Sequence, residues 1–189
     1  MKRVIASLIV ALFLVPGLAL AADTYKLDPG HTFPNFTISH LGFSTLSGRF
    51  NETSGTVVMD RKGGMSSVDV TVQMPSVDTG NAKRDEHLRS DTFFNVKKYP
   101  TMTYKSDKVY FHDDGTATVM GKLTLHGTTR PVTLYVDNIH CGTNPINKKA
   151  ACGFNAIATI KRSNFGIDAY IPAVGDEVDI RIEAEAFKQ

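Results

Sequence analysis

Apolar and polar residues alternate along most of this chain, and that pattern restricts it to sheet. In Val68-Asp69-Val70-Thr71-Val72-Gln73-Met74, and for longer from Val178 to Ala186, every second residue is apolar and its neighbours are polar. Side chains on a strand point to opposite faces with period two, so each run has one dry face and one wet face. A chain made mostly of such runs must close its dry faces on one another, as a barrel or a sandwich. Near the C-terminus those faces carry Ala156, Ala158, Ala184 and Ala186. Small residues where a solid core would want bulk predict a roomy interior, and a dry, roomy interior suits a lipid.

The N-terminus reads as an address. Lys2 and Arg3 precede the apolar stretch Val4 to Val15, Pro16-Gly17 interrupts it, and Ala19-Leu20-Ala21 places small residues where a signal peptidase reads. The prediction is a signal peptide over 1–21, cleaved after Ala21, and one domain over 22–189 that spans no membrane once processed. No other stretch approaches the ~18 apolar residues a spanning helix needs. Losing Lys2 and Arg3 reduces 21 basic residues to 19, level with 19 acidic ones. That balance leaves no basic surplus for phosphates, so nucleic acid is excluded as a partner.

Strand patterns run over 25–28, 32–40, 48–60, 66–74, 101–111, 117–125, 132–140, 153–161 and 177–187. That is about eight strands once the short opening one is set aside, enough for a small antiparallel barrel with a single lumen. Leu41 to Ser47, with Gly42 and Ser44, reads as a turn or short helix. Arg61-Lys62-Gly63-Gly64 reads as a hairpin turn. Asp78 or Asn81 can cap a helix over Ala82 to Arg89, short and polar, lying over one end of the barrel. Cys141 and Cys152 flank a turn-rich loop between two strand patterns, and in an oxidising compartment they would bridge the neck of a hairpin. A metal pair is the competing use, and no second ligand doublet stands near them.

Several segments resemble the YceI-like family of bacterial exported proteins. They are His31-Thr32-Phe33-Pro34-Asn35-Phe36-Thr37-Ile38-Ser39-His40-Leu41-Gly42, Gly48-Arg49-Phe50, and Val77-Asp78-Thr79-Gly80-Asn81 running on to His87-Leu88-Arg89-Ser90. Phe93-Phe94, Lys98-Tyr99-Pro100 and Gly121-Lys122-Leu123-Thr124-Leu125-His126-Gly127-Thr128-Thr129-Arg130-Pro131-Val132 continue the match. The resemblance implies an all-β, lipocalin-like barrel in the periplasm whose apolar lumen holds a long isoprenoid or similar amphiphile. Cys141 and Cys152 are not part of the family pattern, so the bridge rests on this chain's own residues.

Alternation assigns the lumen. Phe36 and Ile38 belong to the second strand pattern, Val70, Val72 and Met74 to the fourth, Met102 and Tyr104 to the fifth, and Val119 and Leu123 to the sixth. Leu134 and Val136, then Phe154, Ala156 and Ala158, and finally Ile180 and Ile182 complete the dry faces. On the helix, Arg84 and His87 share a face, and with Arg89 they are candidates for the polar head of a bound lipid at the mouth. Asp85 and Arg89 stand four apart, acid first, the favourable order for an intrahelical ion pair. His31, His40, His87, His112, His126 and His140 show no metal-ligand spacing, so no metal is expected. His40 falls on a dry face as a core histidine, while His112 and His126 sit in turns and should be solvated. No Gly-x-Ser-x-Gly elbow or phosphate loop occurs, so no catalytic residue is assigned. The expected function is a carrier for an amphiphilic lipid, with no cofactor beyond that ligand. The rivals are a quinone-holding redox accessory and an enzyme acting on a lipid head group. The sequence is compatible with a homodimer and does not specify one.

Overall fold

The computed structural model describes residues 22–60 and 65–189. The predicted leader over 1–21 and the Arg61-Lys62-Gly63-Gly64 turn lie outside the described residues. In chain order the elements are β1 (Asp23–Leu27), β2 (Phe33–His40), β3 (Ser44–Phe50), β4 (Thr53–Met59), β5 (Ser67–Gln73), β6 (Val77–Asp78), α1 (Ala82–Arg89), β7 (Thr101–Phe111), β8 (Ala117–Leu125), β9 (Thr128–Thr143), β10 (Ala150–Lys161) and β11 (Val174–Lys188).

These segments make eight antiparallel lanes of one closed barrel. β1 and β2 both pair with β11, at Tyr25 opposite Lys188 and at Phe33 opposite Glu183, so they form one lane interrupted around Pro29-Gly30. β3 pairs with β2 and β4 with β1, a second lane broken at Asn51-Glu52. β5 and β6 form a third, broken by a short 3-10 turn over Met74–Ser76 that carries Pro75. Proline has no N–H for the ladder, so Pro29 and Pro75 suit such breaks. β7, β8, β9, β10 and β11 run on as long strands, and the pairing of β11 with β1 closes the ring.

The predicted turn or short helix over Leu41 to Ser47 is corrected here. Only Leu41 to Phe43 turn, and β3 begins at Ser44. Its inward residues are Leu46, Gly48 and Phe50, so glycine leaves a gap in the apolar stripe that hides the alternation. The Phe36 ring from β2 fills that gap, since a Cβ at Gly48 would lie 2.5 Å from Phe36 Cζ. The predicted strand over 48–60 is likewise two strands.

α1 forms where expected. Asn81 Oδ1 accepts from the backbone N–H of Arg84, which makes it the N-cap. Asp78 has other work: it accepts from the Gly80 N–H and from Asn51 Nδ2. Apolar burial falls into two clusters. The larger lines the end of the barrel beneath α1 and its middle, around Phe50, Met74, Val77, Phe93, Leu123 and Phe165. The smaller, Tyr25, Leu27, Met59, Cys152 and Ala186, stands at the opposite end. Cys141 and Cys152 face each other across β9 and β10 and are bonded as a disulfide.

Candidate functional site

The interior that the two clusters line is hollow and divided. A lower chamber of about 420 Å³ lies beneath α1, and an upper one of about 160 Å³ lies towards β1, β4 and the disulfide. The upper is lined almost wholly by apolar side chains, and the lower mostly so, with polar groups that include His40, Thr79, Arg84, His87 and Arg162. Phe36, Ile38 and Met74 line the lower chamber. Val70, Val72, Tyr104, Val119, Leu123, Leu134, Val136, Phe154, Ala156 and Ile182 line the upper. Met102 and Ile180 line both, together with Pro34. Ala158 alone of the residues assigned to the lumen lines neither. β10 pairs with β9 only as far as Ile157, and Ala158 sits just past that point, buried, on the wall of an open groove that shares Phe36 and Ile180 with the lower chamber.

The lower chamber opens between α1 and two turns, because His87, Leu41 and Tyr170 line it and are also exposed. Leu41 and Tyr170 both hold left-handed backbone, with φ of 53° and 63°. Bulky residues pay roughly 1–2 kcal/mol for that conformation. The turns lie side by side: the Leu41 N–H donates to Ala173 O, and the Val174 N–H to Tyr170 O. His87 packs edge-on against Phe93 at 5.0 Å, and Phe93 stacks on Tyr170 at 5.9 Å. The rim is therefore an aromatic shelf with one imidazole at its edge.

Arg84 also lines this chamber. Its Nε donates to Thr79 Oγ1 and its Nη2 to Thr79 O, both at 2.8 Å, which fixes the guanidinium plane and leaves Nη1 with no bond to the described residues. Arg89 does not belong with it. Its Nε donates to Pro75 O and its Nη2 to Val77 O, so this cation braces the helix onto the broken β5–β6 lane and lines neither chamber. The expected Asp85–Arg89 ion pair does not form. Asp85 is buried and accepts from both the N–H and the hydroxyl of Thr79, at 2.9 and 2.5 Å. Tertiary partners outcompete the i,i+4 pair because they satisfy buried backbone groups.

Sequence reasoning missed Arg162. It lines the lower chamber, is 5% exposed, and donates to four carbonyls, those of Gly175, Ile167, Ala169 and Val174. Burial draws its pKa below the usual arginine value, opposed by the charges of Asp176 and Asp168. It ties the Tyr170 turn to β11. A lone arginine after a strand carries no local signal of that role.

The histidines are redistributed too. His40 is half-buried and lines the lower chamber. His112 is exposed and bonds to Thr118 Oγ1. His126 is corrected from solvated to enclosed: its Nδ1 donates to Phe165 O at 3.1 Å, its ring meets Tyr99 at 4.6 Å, and its Nε2 is buried with no hydrogen-bond partner. On the outer surface His31 bonds Asp28 at 2.8 Å, and with Glu185 they bring three ligand-type atoms within 4.8 Å, a proximity no sequence spacing shows.

What this geometry can do is hold a chain. A cavity of this size, mostly apolar, with its buried Arg162 bonded to carbonyls and a cation and an imidazole at one rim, can enclose hydrocarbon while the rim meets a polar head.

Comparison with known proteins places this geometry among relatives. A family profile described as a YceI-like domain matches residues 25–186. The protein YceI of Escherichia coli O17:K52:H18 (strain UMN026 / ExPEC) is 42% identical over 191 residues, covering 100% of this chain and 98% of the relative. Among solved structures, Burkholderia cenocepacia BcnA superposes with a TM-score of 0.75 at 24% identity, covering 84% of this chain and 98% of that one. A polyisoprenoid binding domain from Saccharophagus degradans, implicated in plant cell wall breakdown, superposes with a TM-score of 0.65 at 18% identity, covering 87% and 98%. At those identities the two structures establish the shared barrel.

Proposed function

From the premise that this chain belongs to the YceI-like family, we propose that it is a carrier holding one amphiphilic lipid, a polyisoprenoid, with the chain in the lumen and the head at the α1 rim. One observation carries the reading: Arg84 and His87 stand where the lower chamber meets solvent, whereas the buried Arg162 is already bonded to four carbonyls. The Saccharophagus degradans neighbour, described as binding polyisoprenoid, supports the ligand class. Binding follows from elementary energetics, since each methylene removed from water contributes about 0.8 kcal/mol. The family and that neighbour favour a binder over an enzyme.

The Cys141–Cys152 disulfide suits an oxidising compartment, and with the leader pattern over 1–21 it supports a periplasmic address. Among the described residues no helix is long and apolar enough to cross a membrane.

The test begins with mass spectrometry of lipid extracted from protein purified out of the periplasm. A long isoprenoid species at one per protein is expected. Protein that copurifies with none, and takes up none when offered polyprenyl phosphate, overturns the reading. For the head, Arg84→Ala and His87→Ala are expected to weaken a polyprenyl phosphate about ten- to a hundredfold, the value of a lost charge-assisted bond. The matching neutral polyprenol should lose little. Equal loss of both ligands, with a lowered melting temperature, would make the pair a brace for Thr79 and the aromatic shelf instead.

A further inference from the structure

The lumen is two chambers, and three residues line both: Pro34 on β2, Ile180 on β11 and Met102 on β7. β11 and β2 are paired neighbours, whereas β7 lies about half a turn away around the ring. Pro34 and Ile180 therefore form one side of a waist and Met102 the other. The first side is stiff. The proline ring fixes its backbone, Ile180 is branched at Cβ, and both sit in the β2–β11 ladder, Pro34 opposite Ile182 and Ile180 opposite Phe36. Met102 is unbranched with three rotatable bonds, and it is half-buried, beside Val72 on β5. Of the three, only Met102 can leave the waist without moving a strand.

We infer that Met102 is the residue that sets how long a chain this protein accepts, a rotamer gate between the lower and upper chambers. The inference rests on the carrier reading and deepens it. A chain that fills the lower chamber leaves Met102 across the waist. A longer one turns it aside and continues among Val70, Tyr104, Val119, Leu134 and Phe154, so that the two volumes act as one. No other side chain at the waist offers that choice.

The experiment uses the full mature protein and a series of polyprenyl phosphates lengthened one isoprene at a time, with Kd read by titration. Each further methylene buried raises affinity about fourfold. In Met102→Phe the rise in affinity with length is expected to stop once the chain outgrows the lower chamber, whatever common factor the change at this lower-chamber residue applies to the shorter members. In Met102→Ala the longer members are expected to gain at least about tenfold in affinity relative to the shorter ones, compared with the unaltered protein. The variants act in opposite directions, so either one alone carries the test if the other folds poorly. If a folded variant shifts the whole series in parallel, or leaves the long chains unchanged, the gate is wrong and the carrier stands. If the unaltered protein binds no member, the carrier reading falls and the gate with it.

Discussion

Tyr104 reports whether the upper chamber is dry. Its ring lines that chamber, and its hydroxyl lies 3.0 Å from both Val119 O and Val132 O, sharing one hydrogen between two carbonyls. Burial, helped by the charge of Asp107, pushes the phenol up to about 12 from 10.0. The sign follows directly. A raised pKa means the folded state keeps its proton longer, so stability is whole below pH 10.0 and falls as pH climbs towards about 12, where the unfolded chain has already ionised. Phenolate absorbance of the protein minus that of Tyr104→Phe should therefore rise only near the upper value, and the variant should lose less stability across that window. A difference that titrates at the ordinary tyrosine value would mean water reaches the hydroxyl. At the barrel's outer edge Asp28 and His31 shift the opposite way from each other, the carboxyl down and the imidazole up, chiefly through their mutual hydrogen bond. The bond therefore operates between the two folded-state values, weakening below the lower as Asp28 protonates and above the upper as His31 loses its proton.

At the scale of the element, α1 is held by what it touches more than by its own sequence. Its apolar content is low, and its only buried residue is Asp85, whose carboxylate receives the N–H and hydroxyl of Thr79 just past β6. Arg84 and Arg89 add bonds to Thr79, Pro75 and Val77, so three charged side chains pin one short helix to the broken β5–β6 lane. Removing the cap with Asn81→Ala should cost about 1 kcal/mol. Asp85→Ala should cost more, about 2–3 kcal/mol, because it strands the Thr79 amide as well as losing charge-assisted bonds. Urea unfolding measures both, and amide exchange at Thr79 should accelerate only in the second. A cap variant costlier than the Asp85 variant would show that helix formation, and not docking, limits this end of the barrel. The β7–β8 pair offers a different constraint. A Cβ at Gly121 would lie 2.7 Å from Tyr104 Cζ and closer still to Lys105 O, so Gly121→Ala must push the strands apart. Overpacking of that kind costs about 1–3 kcal/mol and should appear in the same unfolding experiment.

For the molecule as a whole, closure matters more than any single bond. The β11–β1 pairing closes the eight lanes into a ring in which β9 and β10 part beyond Ile157, and the Cys141–Cys152 bridge ties the β9–β10 hairpin at the end remote from the mouth. The residues are 11 apart in sequence, so the chain-entropy value of the bridge is at most about 3 kcal/mol. Reduction, or replacing both cysteines with alanine, should lower the urea midpoint accordingly while leaving lipid affinity within about twofold. A collapse of binding would show that the hairpin end shapes the lumen. Much of this architecture was legible in the chain. Period-two alternation marks a face locally, so most strands and the dry interior follow from residue order alone, as does α1 with Asp78 or Asn81 as its cap; the residues assigned to the lumen line a chamber, Ala158 excepted, but make up fewer than half of the lining. The likeness of its motifs to a family supplied the ligand class proposed above. Other features had no local sign. Glycine at 48 erased the stripe of β3, and the partners of Asp85, Arg89 and Arg162, though near in sequence, are reached through turns that carry no periodic signal. The division of the lumen at Met102, Pro34 and Ile180 is of the same kind. Alternation states which way a side chain points, whereas what it meets across a barrel depends on the pairing of strands far apart in sequence.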